Sequence, residues 1–155
     1  MTDADPLDRV STDGMAVAAT LNGGPDFEVA LVPDVGALGL VRREVGRRLG
    51  EHGVHPDTIN DALLVVCELC TNAIQATEPR DAPVLVRVRL GDAAIAVEVE
   101  NVGPPFDALA RIAIGTSEAD TEGGRGLAIV LALSRDVSVH FHDGQCTVTA
   151  IIAQG

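Results

Sequence analysis

Glu68-Leu69-Cys70-Thr71-Asn72-Ala73 puts a carboxylate and a carboxamide four residues apart in a run that otherwise reads as helix core. Two further polar interruptions follow along the chain. Glu100-Asn101-Val102-Gly103-Pro104-Pro105 ends a strand in a turn, and Glu122-Gly123-Gly124-Arg125-Gly126-Leu127 is a glycine loop that opens a helix. An acid, an amide able to bind a metal, a turn with a hydrogen-bonding tip and a loop able to cradle phosphate are the parts a nucleotide site needs. The order of the three segments carries the reading, since each alone has an ordinary structural explanation.

Around them the chain is that of one globular domain. Its 155 residues suffice for a real core, and 46% are hydrophobic. No segment approaches the ~18 consecutive apolar residues of a membrane span. The acidic, polar start Met1–Asp13 does not read as a signal peptide, so a cytoplasmic protein is expected. The net charge of −12 argues against nucleic acid as a direct partner. It does not argue against a nucleotide, because a local glycine loop and Mg²⁺ outweigh the global field. All eleven basic residues are arginine. Without lysine, a Walker A loop, a Schiff base and the protein-kinase strand lysine are all excluded.

Residues 1–25 lack a sustained period and read as a flexible N-terminal tail, with a short strand at Ala16–Leu21; residues 26–155 form the domain. Phe27–Leu31 alternates as a strand. Val35, Leu38, Val41, Val45 and Leu49 recur at helical spacing, and Arg42, Arg43, Arg47 and Arg48 give that helix a basic edge, which reads as a solvated face or, functionally, as a contact for an acidic partner or for phosphate. His55-Pro56-Asp57 starts a second helix, on which Asp61, Glu68, Asn72 and Gln75 share a face. Val84–Leu90 and Ala93–Glu100 read as a hairpin with Val88 opposite Ile95 and Val86 opposite Val97. Asp107–Glu122 reads as a lid, Leu127–Ser134 as a helix, and Asp136–Phe141 with Gln145–Ile152 as a second hairpin turning at Asp143-Gly144. Cys67-x-x-Cys70 and the pair His140 and His142 lack the further ligands of a metal site and read as structural. The expected architecture is a two-layer α/β sandwich, a mixed and mostly antiparallel sheet covered on one face by helices.

The three segments resemble the N, G1 and G2 boxes of the GHKL, or Bergerat-fold, histidine-kinase-like ATP-binding superfamily, and within it the bacterial anti-sigma-factor serine/threonine kinases. The likeness spans about residues 27 to 153. It implies ATP and Mg²⁺ as cofactors. Glu68 would be the catalytic base and Asn72 the Mg²⁺ ligand. Asn101 and Gly103 would border adenine, and Gly124, Arg125, Gly126 and Leu127 would hold phosphate. Thr147 or Thr149 would help bind the base. The sequence departs from the family pattern at Asn101, where an Asp is usual, at Pro105, where a glycine is usual, and at Ala76, where a His is usual. The implied function is an anti-sigma factor that sequesters a sigma factor and phosphorylates a STAS-type anti-anti-sigma protein, with room for a homodimer. The alternative is a decayed GHKL-fold regulator that binds proteins without ATP turnover. A sensor histidine kinase is disfavoured, since no dimerisation helix pair with a phosphoacceptor His is expected.

Overall fold

A computed structural model describes residues 7–12, 15–20, 26–32, 34–103 and 122–154. The strands are β1 (Leu7–Thr12), β2 (Met15–Thr20), β3 (Phe27–Leu31), β4 (Val84–Leu90), β5 (Ala94–Val102), β6 (Asp136–His142) and β7 (Gln145–Ala153). The helices are α1 (Leu38–Glu51), α2 (Pro56–Ala76) and α3 (Glu122–Leu133). The strands form one sheet in the order β1-β2-β3-β4-β5-β7-β6. Every neighbouring pair is antiparallel, so the sheet expected to be mixed carries no parallel pair among the described residues.

Alternation decides which side of each strand enters the core. Phe27, Val29, Leu31, Val84, Val86, Val88, Ile95, Val97, Val99, Val148, Ala150 and Ile152 are buried, and they meet Val41, Val45, Leu49, Ala62, Val65, Val66 and Leu69 from the helices. The opposite face of the sheet carries charge. Arg87 donates to Glu28 at 2.7 Å and to Glu100 at 3.0 Å, and it lies 3.4 Å from Glu98. The helices therefore cover one face, as the patterning predicts.

The helix ends follow local chemistry. Asp34 Oδ1 accepts from Gly36 N–H at 2.9 Å, and a single 3₁₀ turn, Val35–Ala37, leads into α1. Gly53, at φ +76°, lets the chain leave α1. Pro56 occupies the first turn of α2, and His55 Nδ1 accepts from Asp57 N–H at 3.1 Å as its cap. No described helix is long and apolar enough to cross a membrane.

Three sequence expectations are corrected. The β4–β5 register is displaced by two residues: Val88 pairs with Val97 and Val86 with Val99, because the last pair is Leu90 with Ile95, which leaves four residues between the paired positions instead of two. Arg87 is then directly opposite Glu98. The basic edge of α1 is largely spent within the helix. Arg47 pairs with Glu44 at 2.8 Å and Glu51 at 2.7 Å; Arg48 donates from Nε to Glu44 at 2.7 Å and stacks 5.1 Å from the Phe27 ring. Burial pushes the Glu44 carboxyl up, and its bonds to Arg48 and Arg47 more than reverse this, holding it below its ordinary value. Of these four arginines, Arg42 and Arg43 stay exposed with no ion pair among the described residues. Finally, where the sequence offered a single short strand near Ala16–Leu21, two strands extend the sheet beyond β3.

Candidate functional site

The second helix supplies the first part of the site. Its buried stripe includes Ala62, Val66, Leu69, Cys70 and Ala73, and Asn72 is buried with them at 6% exposure. Glu68, one turn earlier, is half-buried, while Gln75 is exposed. The face read from the sequence thus tilts inward at Asn72. The buried Nδ2 of Asn72 has no hydrogen-bond partner among the described residues. An unsatisfied buried amide costs about 1–3 kcal/mol, so a native protein keeps one for a reason. A half-turn of the amide exchanges oxygen for nitrogen without changing its shape. The same spot can therefore present the hard oxygen that Mg²⁺ takes, with phosphate and water completing the shell.

The third helix supplies the second part. It begins at Glu122, so Gly123, Gly124 and Gly126 lie inside its first turns and not in a loop before it. The first N–H groups of such a helix have no carbonyl four residues back and face outward along the axis. Leu127 is buried at 3% exposure and fixes α3 in the core. Gly126 meets α2: a Cβ placed on it would overlap Glu68 Oε2 and stand 3.2 Å from Glu68 Cδ. Glu68 and the glycine turn are therefore in direct contact. The side chain of Arg125 lies outside the described residues. So do Pro105 and residues 107–121 of the lid read at Asp107–Glu122, whose last residue instead opens α3.

The end of β5 supplies the third part. Asn101 is 3% exposed and faces the helices, with Nδ2 donating to Val102 O at 3.3 Å. Gly103, at φ +138°, closes onto α2: a Cβ there would overlap the Ala76 carbonyl oxygen and stand 3.0 Å from Glu78 N. Glu78 N–H donates to Val102 O at 2.9 Å, and Gly103 N–H donates to Gly144 O at 2.8 Å. Both the conformation and the close approach require glycine. Because α2 and β5 end together at Ala76 and Gly103, Asn72 and Asn101 lie at one end of the helix–sheet interface.

Thr147 does not join them. It pairs with Glu100 and His140 and shares their side of the sheet, away from the helices, as does Thr149 opposite Glu98. The residue opposite Asn101 is Cys146, buried at 1% exposure. Burial pushes its thiol up to about 11. The alternation of β7 carried the signal: Val148, Ala150 and Ile152 define the core phase, and 146 is in it. His140 and His142 are exposed on the edge strand β6, and no three His, Cys, Asp or Glu gather around a cation among the described residues.

A comparison with the curated proteins finds no match. Among solved structures, the chain is similar to the RsbU and RsbW domains of Rv1364c from Mycobacterium tuberculosis, with a TM-score of 0.64 and 20% identity. That alignment covers 84% of this chain and 33% of the other, so the chain spans about a third of that protein's length, and the likeness concerns the fold. The family model described as the histidine kinase-like ATPase domain matches residues 31–152, a stretch holding Glu68, Asn72, Asn101 and the α3 glycines. The match covers most of the chain, and the family implies ATP binding. The chain belongs to the histidine kinase-like ATPase domain family.

Proposed function

We propose that the protein is an ATP–Mg²⁺-binding anti-sigma factor and serine/threonine protein kinase, which sequesters a sigma factor and phosphorylates a STAS-type antagonist. One observation carries the reading: the Glu68 carboxylate of α2 packs against Gly126 in the glycine turn of α3, and one turn further along the same helix Asn72 holds a buried amide nitrogen with no hydrogen-bond partner among the described residues. A kinase needs a metal-bound phosphate chain, donors for its oxygens and a base for the acceptor hydroxyl. Asn72 would hold Mg²⁺, which neutralises phosphate charge when bound. The N–H groups at Gly123, Gly124 and Arg125 face an anion with the positive end of the helix dipole. Glu68 accepts the proton of the attacking serine or threonine hydroxyl as its oxygen bonds to the terminal phosphorus and the bond to ADP breaks. Asn101 and Gly103, at the far end of α2, border the base.

Cytoplasmic residence and the absence of direct nucleic-acid or membrane contact accompany this reading, and a homodimer is compatible with it. The deciding experiment is calorimetric ATP titration with and without Mg²⁺, followed by transfer of labelled phosphate to a STAS-type protein. Mg²⁺-dependent binding and a phosphorylated Ser or Thr are expected. No heat at millimolar ATP would reject the kinase. That outcome would support a regulator that only binds proteins, a reading favoured by the neutral Asn101, whose amide nitrogen is committed to Val102 O.

A further inference from the structure

Gly126 stands where helices rarely place glycine. It lies inside α3, in helical conformation, and glycine is the poorest non-proline residue for a helix interior. Its backbone does not need the left-handed region, so the need is for space. The three atoms nearest to a Cβ at 126 all belong to Glu68: Oε2, Cδ at 3.2 Å and Cβ at 3.8 Å. Other helical glycines differ. A Cβ at Gly46 would make an ordinary 3.6 Å contact with Leu63, and Gly39 and Gly50 face open space. Among the described residues, no hydrogen bond or ion pair holds the Glu68 carboxylate. The carboxylate lies against the backbone of α3 at Gly126.

We propose that Gly126 is a positioning residue for Glu68. Its missing side chain lets the carboxylate lie flat against the first turns of α3, beside the N–H groups that would face phosphate. The catalytic half of this inference rests on the kinase reading; the steric half does not. A methyl at 126 meets the far end of a flexible, half-exposed side chain, so the carboxylate swings away and the fold survives. The resemblance gives Gly126 a task through its backbone N–H, which alanine retains. An effect of alanine must therefore arise through the displaced Glu68.

The test compares wild type, E68A, G126A and the double variant. Thermal unfolding reads the contact without reference to activity. In the E68A background the space is vacant, and G126A raises Tm through helix propensity. In wild type the same change raises Tm less, or lowers it. Equal shifts in both backgrounds would mean the two residues do not touch, and would overturn the proposal. Phosphoryl transfer reads the consequence: G126A should lower kcat ~10²-fold, the scale for a misplaced catalytic group, with nucleotide affinity near wild type. In E68A, G126A should lower transfer no further. Wild-type kcat in G126A would overturn the positioning role. If wild type itself transfers no phosphate, the kinase reading fails and the Tm cycle still decides the contact.

Discussion

Asn101 and Cys146 are register partners at the end of β5 and β7, and both are buried on the side of the sheet that faces α2. A thiol and an amide thus form the floor at the end of the helix–sheet interface where the base is proposed to sit. Cys146→Ala should change affinity for ATP, whereas Thr147→Ala, on the other face, should not. Titration calorimetry of the two variants distinguishes the faces. An effect confined to Thr147→Ala would place the nucleotide elsewhere.

Cys146 also sets how the protein responds to alkali. Its thiol ionises near 9.0 when unfolded and at about 11 when buried in the fold. The folded state favours the protonated form, so the stability it contributes is complete below pH 9 and declines as pH rises toward 11. Two pKa units correspond to about 2–3 kcal/mol. Burial raises Cys70 in the same sense. Tm should fall above pH 9, and less steeply in Cys146→Ala. Parallel curves from pH 7 to 11 would show that the thiol is not buried as described.

Asn101→Asp should raise the ATP-to-GTP affinity ratio several-fold. A carboxylate only accepts, and an interaction with a charged acceptor is worth about 1.5–3 kcal/mol against roughly 1 for a neutral one. The same change removes the donor to Val102 O and brings a carboxylate to that carbonyl, so apo stability should fall. Paired ATP and GTP titrations with melting curves measure both. An unchanged ratio would remove residue 101 from the base.

Glu68→Ala and Asn72→Ala should fail differently. A general base contributes ~10²–10⁴-fold, so Glu68→Ala should lose that much transfer while keeping nucleotide affinity. Asn72→Ala should weaken binding in Mg²⁺ and leave Mg²⁺-free binding alone. It should cost little stability, since its buried Nδ2 has no bond to lose. Titrations with and without Mg²⁺, and single-turnover transfer, separate the two.

The arginines of α1 should also divide. Arg42→Glu with Arg43→Glu should slow association with an acidic partner and flatten its salt dependence. Arg48→Ala should act on folding, because it loses its bond to Glu44 and its stacking on Phe27. A loss of about 2 kcal/mol is expected. Stopped-flow association and thermal melts sort the two pairs. Equal kinetic effects from Arg42/Arg43 and Arg47/Arg48 reversals would contradict the pairing.

The sequence made most of the layers legible because burial writes a period into the chain. The alternation in β3, β4, β5 and β7 and the stripe on α2 needed no tertiary knowledge. Three things escaped for definite reasons. The β4–β5 register depended on the length of a turn, and a two-residue shift preserves the same alternation. The basic edge of α1 is spent by Glu44 and Glu51, visible as i, i+3 and i, i+4 spacings but outweighed by the eye for four arginines. Thr147 and Thr149 came from the resemblance, which names a residue type and not a strand phase; the phase of β7 turns Cys146, not Thr147, toward the helices. Glu68 and Asn72 were legible as a pair, but the contact of Glu68 with Gly126 joins positions almost sixty residues apart, which no local pattern encodes.

The clamp at Gly103 and the contact at Gly126 have a shared support. Both press on α2, one at Ala76 and one at Glu68. The stretch of chain between them therefore leaves from and returns to a single rigid rod, at points eight residues or ~12 Å apart along its axis. Both sockets are therefore indexed to one helix. A shift of α2 along its axis would carry the two ends of the proposed site together, about 1.5 Å for each residue of displacement.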